Sequence, residues 1–158
     1  MRPITDLNVK ELRRGIRAWS AGSYPLEAAA ELLIRHDHWL RRRDFLERCA
    51  LMSAGRAYVT ILWDIVPEVT DDLPHNRTNR AIALIAGELA GHPAPHSLGH
   101  TLTGLDRANL DLVLAAISHA GGTHHNVEHL GAPGDGTPAT VTSTSVRIRL
   151  GPLHPWPR

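Results

Sequence analysis

The stretch from Tyr24 to Ser53 constrains this chain more than any other, because after Pro25 it contains no glycine and no further proline and is rich in helix formers. Leu26, Ala29, Ala30, Leu33 and Ile34 recur at helical spacing and make one apolar stripe. Ser23 is placed to cap this helix, and Pro25 falls in its first turn, where a missing N–H costs nothing. Leu40 still fits the stripe, but Phe45, Leu46, Cys49 and Ala50 lie on a new phase, so one straight helix would turn part of the apolar set toward water. The slip falls near His36, Asp37 and His38. The sequence therefore predicts a helix pair, with Asp37 capping a second helix from about His38 to Met52 and Gly55 ending it.

The polar sides of these helices carry most of the charge. Arg41, Arg42, Arg43 and Arg48 alternate with Asp44 and Glu47 at spacings of three and four, which favours weak ion pairs on a solvated face. Upstream, Asn8 is placed to cap a first helix reaching Ser20, with Val9, Leu12, Ile16 and Trp19 as a narrow apolar seam. Lys10, Arg13, Arg14 and Arg17 form a basic stripe beside that seam. A guanidinium fork grips carboxylate and phosphate in two-point contacts, so Arg13, Arg14, Arg17, Arg41, Arg42 and Arg43 are the candidate partner-binding residues. Residues 1–56 hold 11 basic and 7 acidic side chains and residues 57–112 hold 3 and 7, so a region at +4 precedes one at −4. Opposed regions of this kind pair within a fold, pair between subunits, or leave the basic one facing an anionic partner.

At 158 residues the chain is long enough for one domain that buries about two-thirds of its unfolded surface without help from metal or disulfide. Residues 1–150 are expected to form that domain and residues 151–158 an extended proline-rich tail, whose Trp156 is free to dock on a groove or a neighbouring subunit. The single cysteine, Cys49, lies on the apolar phase of a helix and reads as a small core residue. A lone cysteine points to a reducing, cytoplasmic setting. No apolar run approaches the ~20 residues that span a bilayer, so no membrane association is expected. Only Lys10 among the 17 basic residues is lysine, a codon bias that points to a high-GC bacterial or phage genome.

The remaining chain alternates strand and helix signals. Ala57 to Val66 is rich in β-branched and aromatic residues and reads as a strand covered on both faces, ended by Pro67 and followed by a loop through Asp71, Asp72 and Pro74. Thr78 is placed to cap a helix to Ala90 that buries Ile82, Ile85, Ala86 and Leu89. Gly91 to Gly104 reads as a loop whose His92, His96 and His100 are surface groups. Leu105 to Ala120 reads as a helix that opens near Asp106 and buries Leu110, Val113, Leu114 and Ile117. Thr140 to Leu150 alternates Val146, Ile148 and Leu150 with Arg147 and Arg149, the pattern of a strand with one wet side.

One short motif carries possible chemistry. His125-x-x-Glu128-His129 matches the H-x-x-E-H pattern of inverted zinc peptidases, where two histidines a helical turn apart bind zinc and the glutamate polarises a water. That resemblance covers five residues and implies a metal set of His125, Glu128 and His129. Against it, Gly121, Gly122 and Gly131 leave room for at most about two helical turns, and on a strand Glu128 would point away from both histidines. His119 and His124 extend the cluster. A polar surface turn is the favoured reading, with no cofactor; zinc is the alternative.

These features add up to an α-rich α+β domain of about five helices around a minor sheet holding Ala57 to Trp63 and Thr140 to Leu150, with an all-α fold as the alternative. The expected core joins Leu33, Ile34, Leu46, Ile82, Ile85, Val113, Leu114 and Ile117. The expected function is a non-enzymatic interaction or regulatory module that binds a protein or another anionic partner, or itself, through its arginine faces. A nucleic-acid-binding protein and a metal-dependent hydrolase built on His125, Glu128 and His129 are the competing readings.

Overall fold

Local signals at the helix starts account for most of the architecture in the computed structural model, which describes residues 4–53, 58–125, 127–129, 147–149 and 151–158. Helix α1 (Val9–Ser20) opens on a reciprocal cap, in which the Glu11 N–H donates to Asn8 Oδ1 and the Asn8 N–H donates to Glu11 Oε2, each at 2.9 Å. Gly22 turns the chain at a φ of 93°, where a side chain would be strained, into α2 (Tyr24–His36), with Pro25 in its first turn. Asp37 then closes α2 instead of capping a second long helix. It takes the left-handed conformation, φ 63°, and donates its N–H to the Leu33 carbonyl.

The phase slip read from the sequence is real, but the second helix is short. A 3-10 turn, Trp39–Arg41, leads to α3 (Arg43–Cys49), and the chain then straightens into β1 (Ala50–Met52). Strand β2 (Val59–Ile61) pairs with it antiparallel, Ala50 facing Ile61 and Met52 facing Val59. The β-branched residues of β2 need a ladder partner, and Ala50 to Met52 supply it at the expense of the expected helix. Pro67 likewise starts α4 (Val66–Asp72) where a loop was expected, since proline loses no hydrogen bond in a first turn.

Asn76, not Thr78, caps α5 (Arg77–Leu89): its Oδ1 accepts from the Asn79 N–H at 2.7 Å, while the Thr78 hydroxyl donates to the Gly104 carbonyl at 2.9 Å. The expected loop after it contains α6 (Leu98–Leu102), begun where Ser97 Oγ accepts from the His100 N–H. Asp106 caps α7 (Arg107–Ala120) by accepting from the Asn109 N–H at 2.9 Å. Gly122 follows at φ 68°, and a Cβ there would stand 2.9 Å from the Tyr24 ring.

Helix α2 packs against α1, α5 and α7, and α5 packs against α4 and α6. Ala81 through Gly87 are all buried, so α5 is covered on every side. Trp39 and Phe45 fill the space beside it, the Trp39 Nε1–H donating to the Asn79 carbonyl at 2.7 Å. Leu33, Ile34, Leu46, Ile82, Ile85 and Val113 share this core as expected. Leu114 and Ile117 do not. They are 45% and 43% exposed, and Leu110 is 39% exposed. Helix α7 instead turns Val113, Ala115, Ala116 and Ser118 inward, and α2 brings buried Ala28, Ala29 and Ala30. Small side chains on both helices allow close approach of the axes, which buries backbone and leaves the leucines outside. In α1 only Leu12 and Ile16 of the expected seam are buried, while Val9 and Trp19 face solvent.

A second antiparallel ribbon pairs β3 (Val127–His129) with β4 (Arg147–Arg149), Glu128 facing Ile148. The expected single sheet is thus two separate ribbons, each strand pairing with its own near partner; residues 54–57, 130–146 and 150 of the expected strands and turns lie outside the described residues. The class is α+β and predominantly helical. Among the described residues no helix is long and apolar enough to cross a membrane.

Candidate interaction surface

Two carboxylates on α2 organise the arginines of the first helices. Glu31 receives Arg17 in two contacts, Nε to Oε2 at 2.9 Å and Nη2 to Oε1 at 3.0 Å, and receives Arg35 Nε at 2.8 Å. Asp37 receives Arg13 Nη2 at 2.7 Å and the Arg41 guanidinium on its other oxygen. The left-handed cap is what swings Asp37 toward α1. Burial pushes the Glu31 and Asp37 carboxyls up, but the hydrogen bonds and charges of Arg17 and Arg35, and of Arg13 and Arg41, outweigh it and hold both below the usual carboxylate range.

The C-terminal tail closes one side of this ladder. The Arg35 guanidinium lies 5.0 Å from the Trp156 ring centroid and donates from Nη1 to the Pro157 carbonyl at 3.0 Å. The His154 N–H donates to Ser118 Oγ at 3.0 Å and its Nε2 meets Asp111 Oδ1 at 2.7 Å. Trp156 therefore docks on its own chain. The result is a groove of about 540 Å³ whose described lining includes Arg13, Arg17, Arg35 and Arg158 together with Glu31 and Asp37. Ala108 lines this groove and also the adjoining cleft of about 770 Å³, where Arg107, Leu110, Asp111 and Leu114 form the wall. An arginine-rich groove and an apolar helix face are thus continuous.

The six arginines singled out in the sequence do not share one surface. Arg13 and Arg17 line the groove and Arg41 reaches its end through Asp37. Arg42 turns away, bridging Asp44 and the Pro74 carbonyl and standing 5.8 Å from the Trp39 ring. Arg14 lines a different cleft with Leu7, Glu11, Met52 and Val59, and Arg43 is exposed at the start of α3. Sequence reasoning missed Arg35, Arg107, Arg158 and the outward leucines. Arg35 was visible as the i+4 partner of Glu31. The leucines were not, since both sides of α7 are apolar.

The histidine cluster has no helix to work with. His125 ends a 3-10 turn, Thr123–His125, and Glu128 and His129 are in β3, so the helical turn required by H-x-x-E-H is not formed. The side chains of His125, Glu128 and His129 lie outside the described residues. His119 is committed elsewhere, its Nε2 2.8 Å from Glu27 Oε2 and its ring stacked on His124 at 4.3 Å between centroids. Among the described residues no group of three or more His, Cys, Asp or Glu is placed to hold a metal ion. Burial pushes the Cys49 thiol up to about 12, which makes it a core residue and a poor nucleophile.

Comparison with known families, with curated proteins and with solved structures finds no match to this chain.

Proposed function

We propose that this protein is a non-enzymatic binding module whose partner is an acidic, amphipathic segment of another protein, seated along α7 and the arginine groove beside it. The observation that carries the reading is the alignment of Leu110, Leu114 and Ile117, at i, i+4 and i+7, on the outer face of α7, each about two-fifths exposed. Three large apolar side chains in one row are what a helix in a groove supplies or receives as anchors. Arg107 and Asp111 both lie in the leucine cleft, and the described lining of the groove continuous with it holds four arginine and two carboxylate side chains, so the acidic groups of an incoming segment find their guanidinium partners on the groove side.

Duplex nucleic acid fits less well. Arg13, Arg17, Arg41 and Arg42 each hold a carboxylate already, which weakens the field toward any anion, and the leucine row that would anchor a peptide offers nothing to a phosphate backbone. Panning a displayed library of random peptides on the purified protein tests the proposal. Enriched sequences should place Leu, Ile or Phe three and four residues apart among Asp and Glu. Their affinity should fall at least about tenfold in the Leu110→Gln/Leu114→Gln variant, as for anchor residues, and less in Arg17→Gln. Enrichment of basic peptides, no enrichment, or duplex binding with a steep salt dependence that ignores the leucines would each refute it.

A further inference from the structure

We propose that a second cleft, at the start of α5, binds the phosphoryl group of a small phosphomonoester. It shares no lining residue with the groove or the leucine cleft on α7. The cleft has a volume of about 260 Å³ and brings together His75 from the α4–α5 connection, Arg77 and Arg80 from α5, and His96 and His100 from the segment that contains α6. His96 and His100 were expected to be surface groups of a loop, and they are exposed; the short helix α6 fixes His100 one turn from His96, with ring centroids 5.1 Å apart.

Among the described residues no carboxylate lines the cleft. The nearby acid, Asp71, is held by Arg80, whose Nη2 donates to it at 3.0 Å. Arg77 differs from Arg80 in its partner: its Nη2 donates to the Thr103 hydroxyl, at 2.7 Å, so its charge is not neutralised there. His75 Nδ1 sits 2.7 Å from the Leu73 carbonyl, which only accepts, so this nitrogen carries a hydrogen, and Nε2 donates to a ligand oxygen only when the ring is an imidazolium. One uncompensated guanidinium, a second guanidinium with donors to spare and the N–H groups of His96 and His100 match the several acceptor oxygens of a phosphoryl group, and a protonated His75 adds another donor. Ala81 and Leu84 supply an apolar wall for the carbon skeleton of an ester, which free phosphate would leave empty. The volume lies just under the roughly 300–1,000 Å³ of sites for drug-sized ligands, so the ester is small.

The test is a titration of the full chain with inorganic phosphate and with glycerol phosphate, read by the imidazole resonances and repeated with sodium chloride at matched ionic strength. Saturable shifts at His75, His96 and His100 are expected with both phosphates, tighter for the ester, and not with chloride. Arg77→Gln should weaken binding at least about tenfold, the loss expected for a charge-assisted contact. The exposed pair His96→Asn/His100→Asn should weaken it as well, which keeps the test meaningful if Arg77→Gln destabilises the α5–α6 contact. An equal response to chloride, full affinity in both variants, or saturable zinc binding with no response to phosphate would overturn the proposal.

Discussion

Helices α5 and α7 have similar lengths and both contain a row of large aliphatic residues, yet the protein treats them in opposite ways. In α5 the residues Ala81 to Gly87 are all buried, Ile82 and Ile85 among them. In α7 the buried set is Val113, Ala115, Ala116 and Ser118, and Leu110, Leu114 and Ile117 remain outside. The difference is one of fit. Helix α5 is packed by α2, α4, α6 and α7, so large side chains are enclosed on every side, whereas α7 packs against α2, and both bury small residues, Ala115, Ala116 and Ser118 on one and Ala28, Ala29 and Ala30 on the other, that permit close approach. Hydrophobicity selects which residues may be buried; the size of the facing side chains selects which face is.

The contrast gives its largest signal on the α5 side. Ile82 is fully buried, and Ile82→Ala should cost roughly 2–5 kcal/mol in urea unfolding, the range for a large core side chain cut to alanine. A loss near zero would mean that α5 is not enclosed as described.

Acid should sharpen the comparison next, with a smaller effect. Burial and the charge of His38 lower the pKa of His36, and burial with the charges of Arg42 and His75 lowers that of His38. Both lie beside the enclosed end of α2, where His36 Nδ1 and His38 Nε2 are buried without a hydrogen-bond partner. A histidine with a depressed folded pKa contributes stability that is present above its unfolded value, about 6.5, and lost as pH falls below it. The urea midpoint should therefore drop between pH 7 and pH 5, and His36→Asn should flatten that dependence. An unchanged midpoint across this window would contradict the desolvation of these two ring nitrogens.

Much of this was legible in the sequence, and the failures have a common cause. Asn8, Pro25 and Asp106 announced the helix starts because capping is a local interaction. The strand at Val59–Ile61 was legible from its β-branched residues, but its partner was not, since Ala50 to Met52 carry no strand signal until a neighbour demands one. The phase slip near Asp37 was visible, yet the left-handed cap that sends its carboxylate to Arg13 depends on α1 being there. The arginine faces divided for the same reason: spacing along one helix says nothing about whether a carboxylate waits on the next. On α7 two apolar faces competed, and the sequence of that helix alone does not choose between them.

The central claim is that the large aliphatic row of α7 belongs to a surface and not to the core, and urea denaturation of Leu114→Gln tests it most directly. Glutamine keeps the helix propensity and most of the stem, so a leucine that is 45% exposed should be replaced at a cost of no more than about 1 kcal/mol. A loss of about 2 kcal/mol or more, the range of buried leucines, would return Leu114 to the core and remove the docking face from α7.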